Sequence, residues 1–416
     1  MKNNLFRNIL IFVFILSIFL SCDLFNNDDD KQTTDQYLVS YEKVASYLPA
    51  LIESVLGGFV DDYPGFAPIV AEIEHGVTVY KISYITTFDG DDVIASGLVS
   101  IPTSAGEFPI FSYQNGTNTE HSKAPSVKPD NELFLLLEFM ASTGFVVTIP
   151  DYLGFGTSAN MFHPYLDQES TVQSILDMQR AVKEFVANYM NDEIGLELNN
   201  DYYITGYSQG GWATMQLQKA IETKYSDAFN LRASACAAGP YDLNYINEYV
   251  LDLEDYPMPY FLGYIFNSYY NLGGITTPIK EVFKNPFDTR VMTLYDGTRA
   301  GTKINDLLDT KISRLFTADF ISGYSTDAKY SSIKDMLTVN SITAWKAKTP
   351  TLLIHGTKDT FVPPQVTSRI FQGFLNEGVG VDKVKMLPIP GGTHQSSAVP
   401  AGIAAINWFL EIKNEK

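Results

Sequence analysis

The chain of 416 residues holds only two cysteines and five histidines, and its 29 basic side chains are outnumbered by 48 acidic ones. Two cysteines cannot build the multi-bridge framework that staples small secreted folds. The histidines (His75, His121, His163, His355 and His394) are scattered, so no His/Cys ligand cluster is legible and neither a metal nor an organic cofactor is expected. A formal net charge of −19 repels nucleic acid and gives no electrostatic reason to bind anionic headgroups. Ile9–Leu20, a twelve-residue apolar run broken only by Ser17, falls short of a membrane-crossing helix, which needs ~20 residues. With 45% apolar and 19% charged residues the chain is nevertheless rich enough in apolar side chains to fold around a large core.

That apolar run suits a secretory leader, preceded as it is by Lys2 and Arg7. It ends Phe19-Leu20-Ser21-Cys22, which resembles the lipobox of bacterial lipoproteins, and the resemblance implies cleavage before Cys22 and its lipidation. Residues 1–22 are then the signal peptide, and residues 23–33, with Asp28-Asp29-Asp30, an acidic flexible tether. An ordinary cleaved signal with an incidental cysteine is the alternative. The expected location is the bacterial cell envelope, periplasmic or surface-facing, or else the medium. Acidic residues after such a cysteine resemble surface-export signals, whereas Asp23 directly behind it resembles an inner-membrane retention signal, so the membrane carrying the anchor stays open. Cys236, in the apolar run Ala233–Ala238, then has no partner and reads as a small core residue.

Residues 34–56 read as a lead-in helix. Two β-rich runs, Val77–Thr87 and Val93–Pro102, flank the turn cluster Phe88-Asp89-Gly90-Asp91-Asp92, the pattern of a hairpin. From there strands and helices alternate through Ala238. The rhythm stops between about Leu243 and Ala347 and resumes with a strand at Thr351–His355, a helix at Gln365–Asn376, a strand at Val384–Pro388 and a helix at Ala401–Ile412. Alternation implies an α/β fold with a mostly parallel sheet covered on both faces, and the hairpin makes the sheet mixed. Residues 34–242 and 348–416 form its two parts, and 243–347 a cap or lid insertion above it.

Gly206-Tyr207-Ser208-Gln209-Gly210 matches G-x-S-x-G. It follows a β-branched and aromatic run, Tyr202–Thr205, and precedes a helical pattern, which is the strand–turn–helix setting of an α/β-hydrolase nucleophile elbow. The near match Gly323-Tyr324-Ser325 lacks both the closing glycine and that setting. In such folds the order is serine, acid, histidine. This removes His75, His121 and His163; His355, closing a strand just before its own turn, reads either as structural or as a support behind the catalytic side chains, and His394 in a glycine-rich loop remains as the base. Asp359, in the turn leaving the Thr351–His355 strand, is the acid, while Asp327 and Asp335 lie in the irregular insertion. Two backbone N–H groups are expected to hold the oxyanion: Gln209, after the serine, and Thr117, in the loop Gln114-Asn115-Gly116-Thr117 that follows a strand. Asn115 should buttress that loop, and Asn115, Gly116, Tyr207, Asp151 and Tyr152 are candidates for the substrate pocket.

With these residues placed, the chain resembles the secretory lipase branch of the α/β-hydrolases, which includes fungal lipase-A-like enzymes and bacterial relatives. The likeness rests on Tyr113–Thr117, Asp151–Gly156, His163-Pro164-Tyr165, Asp177–Ala181, Gly206–Gly211, and His355–Asp359 with Pro363-Pro364. Asn115 stands where relatives frequently carry histidine. The resemblance implies ester hydrolysis of a small-molecule or lipid substrate, with the insertion over the acyl site. Peptidase and carbohydrate-ester deacylase activities fit the same three side chains, since a fold does not choose a substrate. A binding protein that lost catalysis is the reading from another class; the complete Ser208, Asp359 and His394 set speaks against it. The Asp151–Gly156 turn either lines the pocket or packs under His163 and Tyr165. Tyr256, Tyr260, Phe261, Tyr264, Phe266, Tyr269 and Tyr270 either form the insertion's own core or line an acyl pocket.

Overall fold

The computed structural model describes residues 35–415. The leader, Cys22 and the 23–33 tether lie outside the described residues. One nine-stranded sheet organises the rest: β1 (Leu38–Tyr47), β2 (Val77–Phe88), β3 (Asp91–Pro102), β4 (Gly106–Gln114), β5 (Val146–Pro150), β6 (Leu196–Tyr207), β7 (Asn230–Ala237), β8 (Thr351–Gly356) and β9 (Val384–Ile389). Their spatial order is β1-β2-β3-β5-β4-β6-β7-β8-β9. β5 through β9 in that order run parallel, and β1–β3 join them as an antiparallel meander. This is the mixed, mostly parallel sheet of an α/β-hydrolase fold.

The β2–β3 hairpin closes on Asp89 (φ 52°) and Gly90 (φ 84°), with Phe88 paired to Asp91. Two successive positive φ values are what a two-residue hairpin turn matching strand twist requires. The lead-in is a different matter. Residues 38–47 are a strand, not the first half of a helix, and only Pro49–Gly57 is helical. Val39, Tyr41 and Val44 are residues that suit a pleated edge, and β1 pairs with β2 from Leu38 to Tyr47, with register shifts at Val39 and Val44. Pro49 at the first helical position starts the helix only after that ladder ends.

Side chains alternate between two cores, one on each sheet face. Along β6, Tyr202 and Ile204 join the core beneath helices Gln168–Phe185 and Gln209–Lys224, while Tyr203 joins the core beneath the C-terminal helix Ala398–Asn414. In β7 the first set receives Cys236 and the second Ala233, Ala235 and Ala237. Cys236 is fully buried and unpaired, and burial pushes its thiol up to about 12.

Residues 243–347 connect β7 to β8 through a series of helices, from Leu243–Leu251 to Ser331–Val339, and contribute no strand to the sheet. Phe266, Phe283, Phe316 and Phe320 pack on one another there with ring centroids 4.8–6.2 Å apart, a core of the segment's own. Its C-terminal end is tied back to the sheet helices at Asn340. The Asn340 carbonyl accepts from Trp212 Nε1 (2.8 Å) and Gln216 Nε2 (3.2 Å), and its side chain accepts from the Gln168 N–H (2.8 Å). Among the described residues no helix is long and apolar enough to cross a membrane.

Parallel register delivers the ends of β4, β6, β7, β8 and β9 to one edge. Gln114 of β4 pairs with Gly206 of β6, and Tyr207 of β6 with Ala237 of β7. Gly356 of β8 pairs with Ile389 of β9, which leads into the loop bearing His394. The crevice at the carboxyl ends of parallel strands is where this class of fold places its chemistry.

Candidate active site

Ser208 stands between β6 and the helix Gln209–Lys224 with φ 60° and ψ −121°. Few L-residues adopt such a backbone, and holding one costs on the order of 1–3 kcal/mol. The surroundings over-determine it. The Ser208 N–H donates to the Ala237 carbonyl (2.9 Å), and its own carbonyl receives the Trp212 N–H (3.1 Å). A side chain on Gly210 would collide with the Gln114 carbonyl, and one on Gly211 with the Ala237 carbonyl. The turn is therefore pressed against both neighbouring strands, which only glycine permits.

His394 Nε2 lies 2.9 Å from Ser208 Oγ, and its Nδ1 lies 2.6 Å from Asp359 Oδ2. The ring is flanked by Tyr207 and Phe361, each with its centroid 5.2 Å away, and the Tyr207 hydroxyl donates to the His394 carbonyl (2.6 Å). Asp359 Oδ1 accepts the N–H groups of Phe361 (2.9 Å) and Val362 (3.0 Å). His355 Nε2 approaches the same carboxylate, 3.2 Å from Oδ2, and also faces the Val362 carbonyl at 3.0 Å. Facing two acceptor oxygens, that nitrogen carries the proton, and His355 Nδ1 accepts from the Thr367 hydroxyl (2.6 Å). Burial alone would raise Asp359, but the hydrogen bonds from His355, His394 and Val362 outweigh it and hold the carboxyl well below the usual carboxylate range. Ser208, His394 and Asp359 are all less than one tenth exposed.

The loop after β4 passes beside the elbow. Asn115 Nδ2 donates to the Pro150 carbonyl, and the Tyr152 hydroxyl donates to the Asn115 carbonyl (3.2 Å). Thr117 Oγ1 is 2.7 Å from the Tyr165 hydroxyl. On the other side, Gln209 Nε2 donates to His163 Nε2 (3.0 Å), because His163 Nδ1–H is committed to the Leu153 carbonyl (2.7 Å). Burial lowers His163 to about 4, so the ring is neutral at ordinary pH. Asn115, Gly116, Thr117, Tyr152 and Gln209 line a cavity of about 240 Å³ on the loop side of the site. Ser208 and His394 do not reach that cavity's wall.

Asp151 also borders this cavity, but its carboxylate is already engaged. It accepts the Ser126 N–H (2.8 Å) and the hydroxyls of Ser126 and Ser96 (2.5 Å each), tying the loop to β3. The remaining sequence candidates sit elsewhere. His75 bonds Ser104 Oγ (2.8 Å), and His121 lies edge-on to Phe155. Asp327 caps a turn through the Lys329 N–H (2.9 Å), and Ser325 is exposed beside Glu248. Of His355, expected to be structural or to support the catalytic side chains, the partner Asp359 was not legible, and neither was the Tyr207 grip on the His394 backbone. Among the described residues no group of His, Cys, Asp and Glu could hold a metal ion.

The model of the secretory lipase family matches residues 119–415. Among solved structures, a protein of Legionella pneumophila assigned to the hydrolases superposes with a TM-score of 0.78 at 25% identity, covering 92% of this chain and 99% of that one. The rice cell wall degrading esterase LipA from Xanthomonas oryzae gives 0.73 at 24%, covering 92% and 98%. Lipase A of Candida antarctica in its closed state gives 0.64 at 17%, covering 93% and 86%. No curated protein sequence matches this chain significantly.

Proposed function

The chain belongs to the secretory lipase family and is a carboxylic ester hydrolase, and from that premise we propose that it cleaves its substrate through an acyl-enzyme on Ser208. Ser208 Oγ attacks the ester carbonyl while His394 Nε2 takes its proton. Asp359 keeps the His394 Nδ1–H in place and stabilises the imidazolium that forms. The N–H groups of Gln209 and Thr117 hold the developing oxyanion. His394 then gives its proton to the departing alcohol, and a water deprotonated by the same ring releases the acid and restores Ser208. The unbroken path of 2.9 and 2.6 Å from hydroxyl to ring to carboxylate carries this reading.

Residues 243–347 serve as the cap over the acyl site in this proposal. Phe261 of that segment lies 6.2 Å from Phe361, which in turn lies against His394, and Tyr256 donates to the Phe361 carbonyl (2.9 Å). The leader delivers the enzyme to the cell envelope, where a lipid on Cys22 and the acidic tether hold it to the membrane. A fluorophosphonate probe tests the catalytic reading: it should label Ser208 in the wild type and leave Ser208→Ala unmodified. An unlabelled wild type that still hydrolyses esters would overturn it. Rates on short- and long-chain aryl esters, acetylated sugars and dipeptides then rank the substrate classes.

A further inference from the structure

Gln209 and Thr117 come from distant parts of the chain, yet the side chains of both are held from one place. Gln209 Nε2 is bound by His163 (3.0 Å) and Thr117 Oγ1 by the Tyr165 hydroxyl (2.7 Å), and His163 and Tyr165 belong to a single short turn. Both rings lean on Tyr264, which lies in the cap helix Pro259–Asn271. Tyr165 stacks on Tyr264 with centroids 4.4 Å apart and planes within 8°, and His163 meets it edge-on at 5.6 Å. Behind Tyr264 stands Tyr295, stacked at 4.6 Å and 15°. Gln209, His163, Tyr165 and Tyr264 are buried and Thr117 half-buried; a cavity of about 250 Å³ borders His163, Tyr264 and Tyr295, so it is these stacking and hydrogen-bond contacts that hold the rings in place.

A second set of contacts fastens the same loop to the same segment. Glu120 and Thr298 form an isolated antiparallel bridge, the His121 N–H donates to the Gly297 carbonyl (2.8 Å), and Thr119 Oγ1 donates to the Arg299 carbonyl (2.7 Å). These bonds lie two to four residues beyond Thr117 and two to four residues beyond Tyr295. The loop is thus clamped at its middle by a backbone strap and at its business end by stacked rings.

We infer that His163 and Tyr165 are positioning residues for the two oxyanion donors, and that the cap supplies, through Tyr264 and the 297–299 strap, the wall against which they are set. The inference rests on the reading of Gln209 and Thr117 as the donors. Oxyanion donors act only when their N–H groups already point at the place where charge develops, so a displaced loop weakens the transition state and barely touches the bound ester. The cap's aromatic helix is then part of the catalytic geometry and not merely a cover. The expected signature is a loss in kcat with KM little changed.

Tyr165→Phe removes only the hydroxyl on Thr117, and Tyr264→Leu removes the stacking wall. Both are to be compared with the wild type in kcat and KM on a short-chain p-nitrophenyl ester, in thermal midpoint, and in affinity for phenylboronic acid. That acid forms a tetrahedral adduct on serine with an oxygen in the oxyanion position. Both variants should lose roughly 10- to 100-fold in kcat, below the 10²–10³ of losing a donor outright. Boronate affinity should fall in step, and Tyr264→Phe, which keeps the ring, should restore both. Boronate affinity equal to the wild type, or a rise in KM alone, overturns the inference. Should Tyr264→Leu fail to fold, Tyr165→Phe decides the matter by itself. The catalytic reading fails separately: wild-type Ser208 that resists fluorophosphonate sinks that reading, whereas labelled Ser208 with unchanged boronate affinity sinks only this one.

Discussion

His355 and Asp359 face each other across a single turn, with His355 Nε2 3.2 Å from the same carboxylate oxygen that receives the His394 Nδ1–H. The carboxylate therefore has donors on every side, counting the Phe361 and Val362 N–H groups on its other oxygen. His355→Phe deletes one of them and leaves the Thr367 hydroxyl without its acceptor. Removing a group that stabilises the anion raises the Asp359 carboxyl from its depressed position. Activity of the variant should fall away at a higher pH on the acid side, with kcat at neutral pH down about tenfold, a cost of ~1.4 kcal/mol. A pH–rate profile superimposable on the wild type would show that His355 serves packing alone.

Ser208→Ala and His394→Ala should each lose on the order of 10⁴–10⁶ in turnover. Asp359→Asn should lose about 10⁴, through the wrong tautomer of the ring. Circular dichroism and thermal midpoints of the first two should stay near those of the wild type, because each change shortens a side chain at a site already tied by backbone bonds. Near-full esterase activity in Ser208→Ala is the result that the proposed chemistry does not survive.

Glu138 makes stability depend on pH. Its carboxyl is fully buried, and neither oxygen has a hydrogen-bond partner. Burial, assisted by the negative charge of Asp130, raises it from 4.5 to about 8. Between those values the folded chain holds a proton that the unfolded chain has released. Stability contributed by the protonated form is therefore complete below about pH 4.5 and declines as pH climbs toward 8. Glu138→Gln, which cannot ionise, should flatten that decline by several kcal/mol. Thermal midpoints of the two proteins across pH 5–9 check it; parallel curves would show that the carboxylate finds compensation at high pH.

Cys22→Ala should move the protein from the membrane fraction to the soluble envelope fraction or the medium. Metabolic labelling with a radiolabelled fatty acid should be lost with it. Fractionation and labelling that match the wild type would dispose of the lipid anchor.

Much of the core was legible because its physics is local. Strand Tyr202–Thr205, the elbow glycines and the helix behind them announce themselves by residue type and period, and Val384–Ile389 and Gln365–Asn376 emerge almost at their predicted bounds. β1 was not legible, because an edge strand with mostly exposed side chains shows neither a buried run nor clean alternation. Glu138 defeated the sequence for the opposite reason: an acidic residue in a helical pattern reads as a solvent-facing position, and only the packed core reveals that it faces inward. For His355, chain order excludes the role of base but cannot choose between a structural and a supporting one, because it says nothing of a second ring on the same acid. His163 and Tyr165 stood out as a motif, yet their partners Gln209 and Thr117 lie 46 and 48 residues away and Tyr264 farther still, contacts that no local pattern encodes.

The phenol of Tyr207 reaches across 187 positions of chain to the carbonyl of His394. One rivet thus joins the rib that presents the hydroxyl to the strap that presents the imidazole, independently of everything strung between them. The distance from hydroxyl to imidazole is thereby pinned by a bond in which the stretch between β7 and β8 has no part, whereas the loop bearing Thr117 leans on that stretch through Tyr165 and Tyr264.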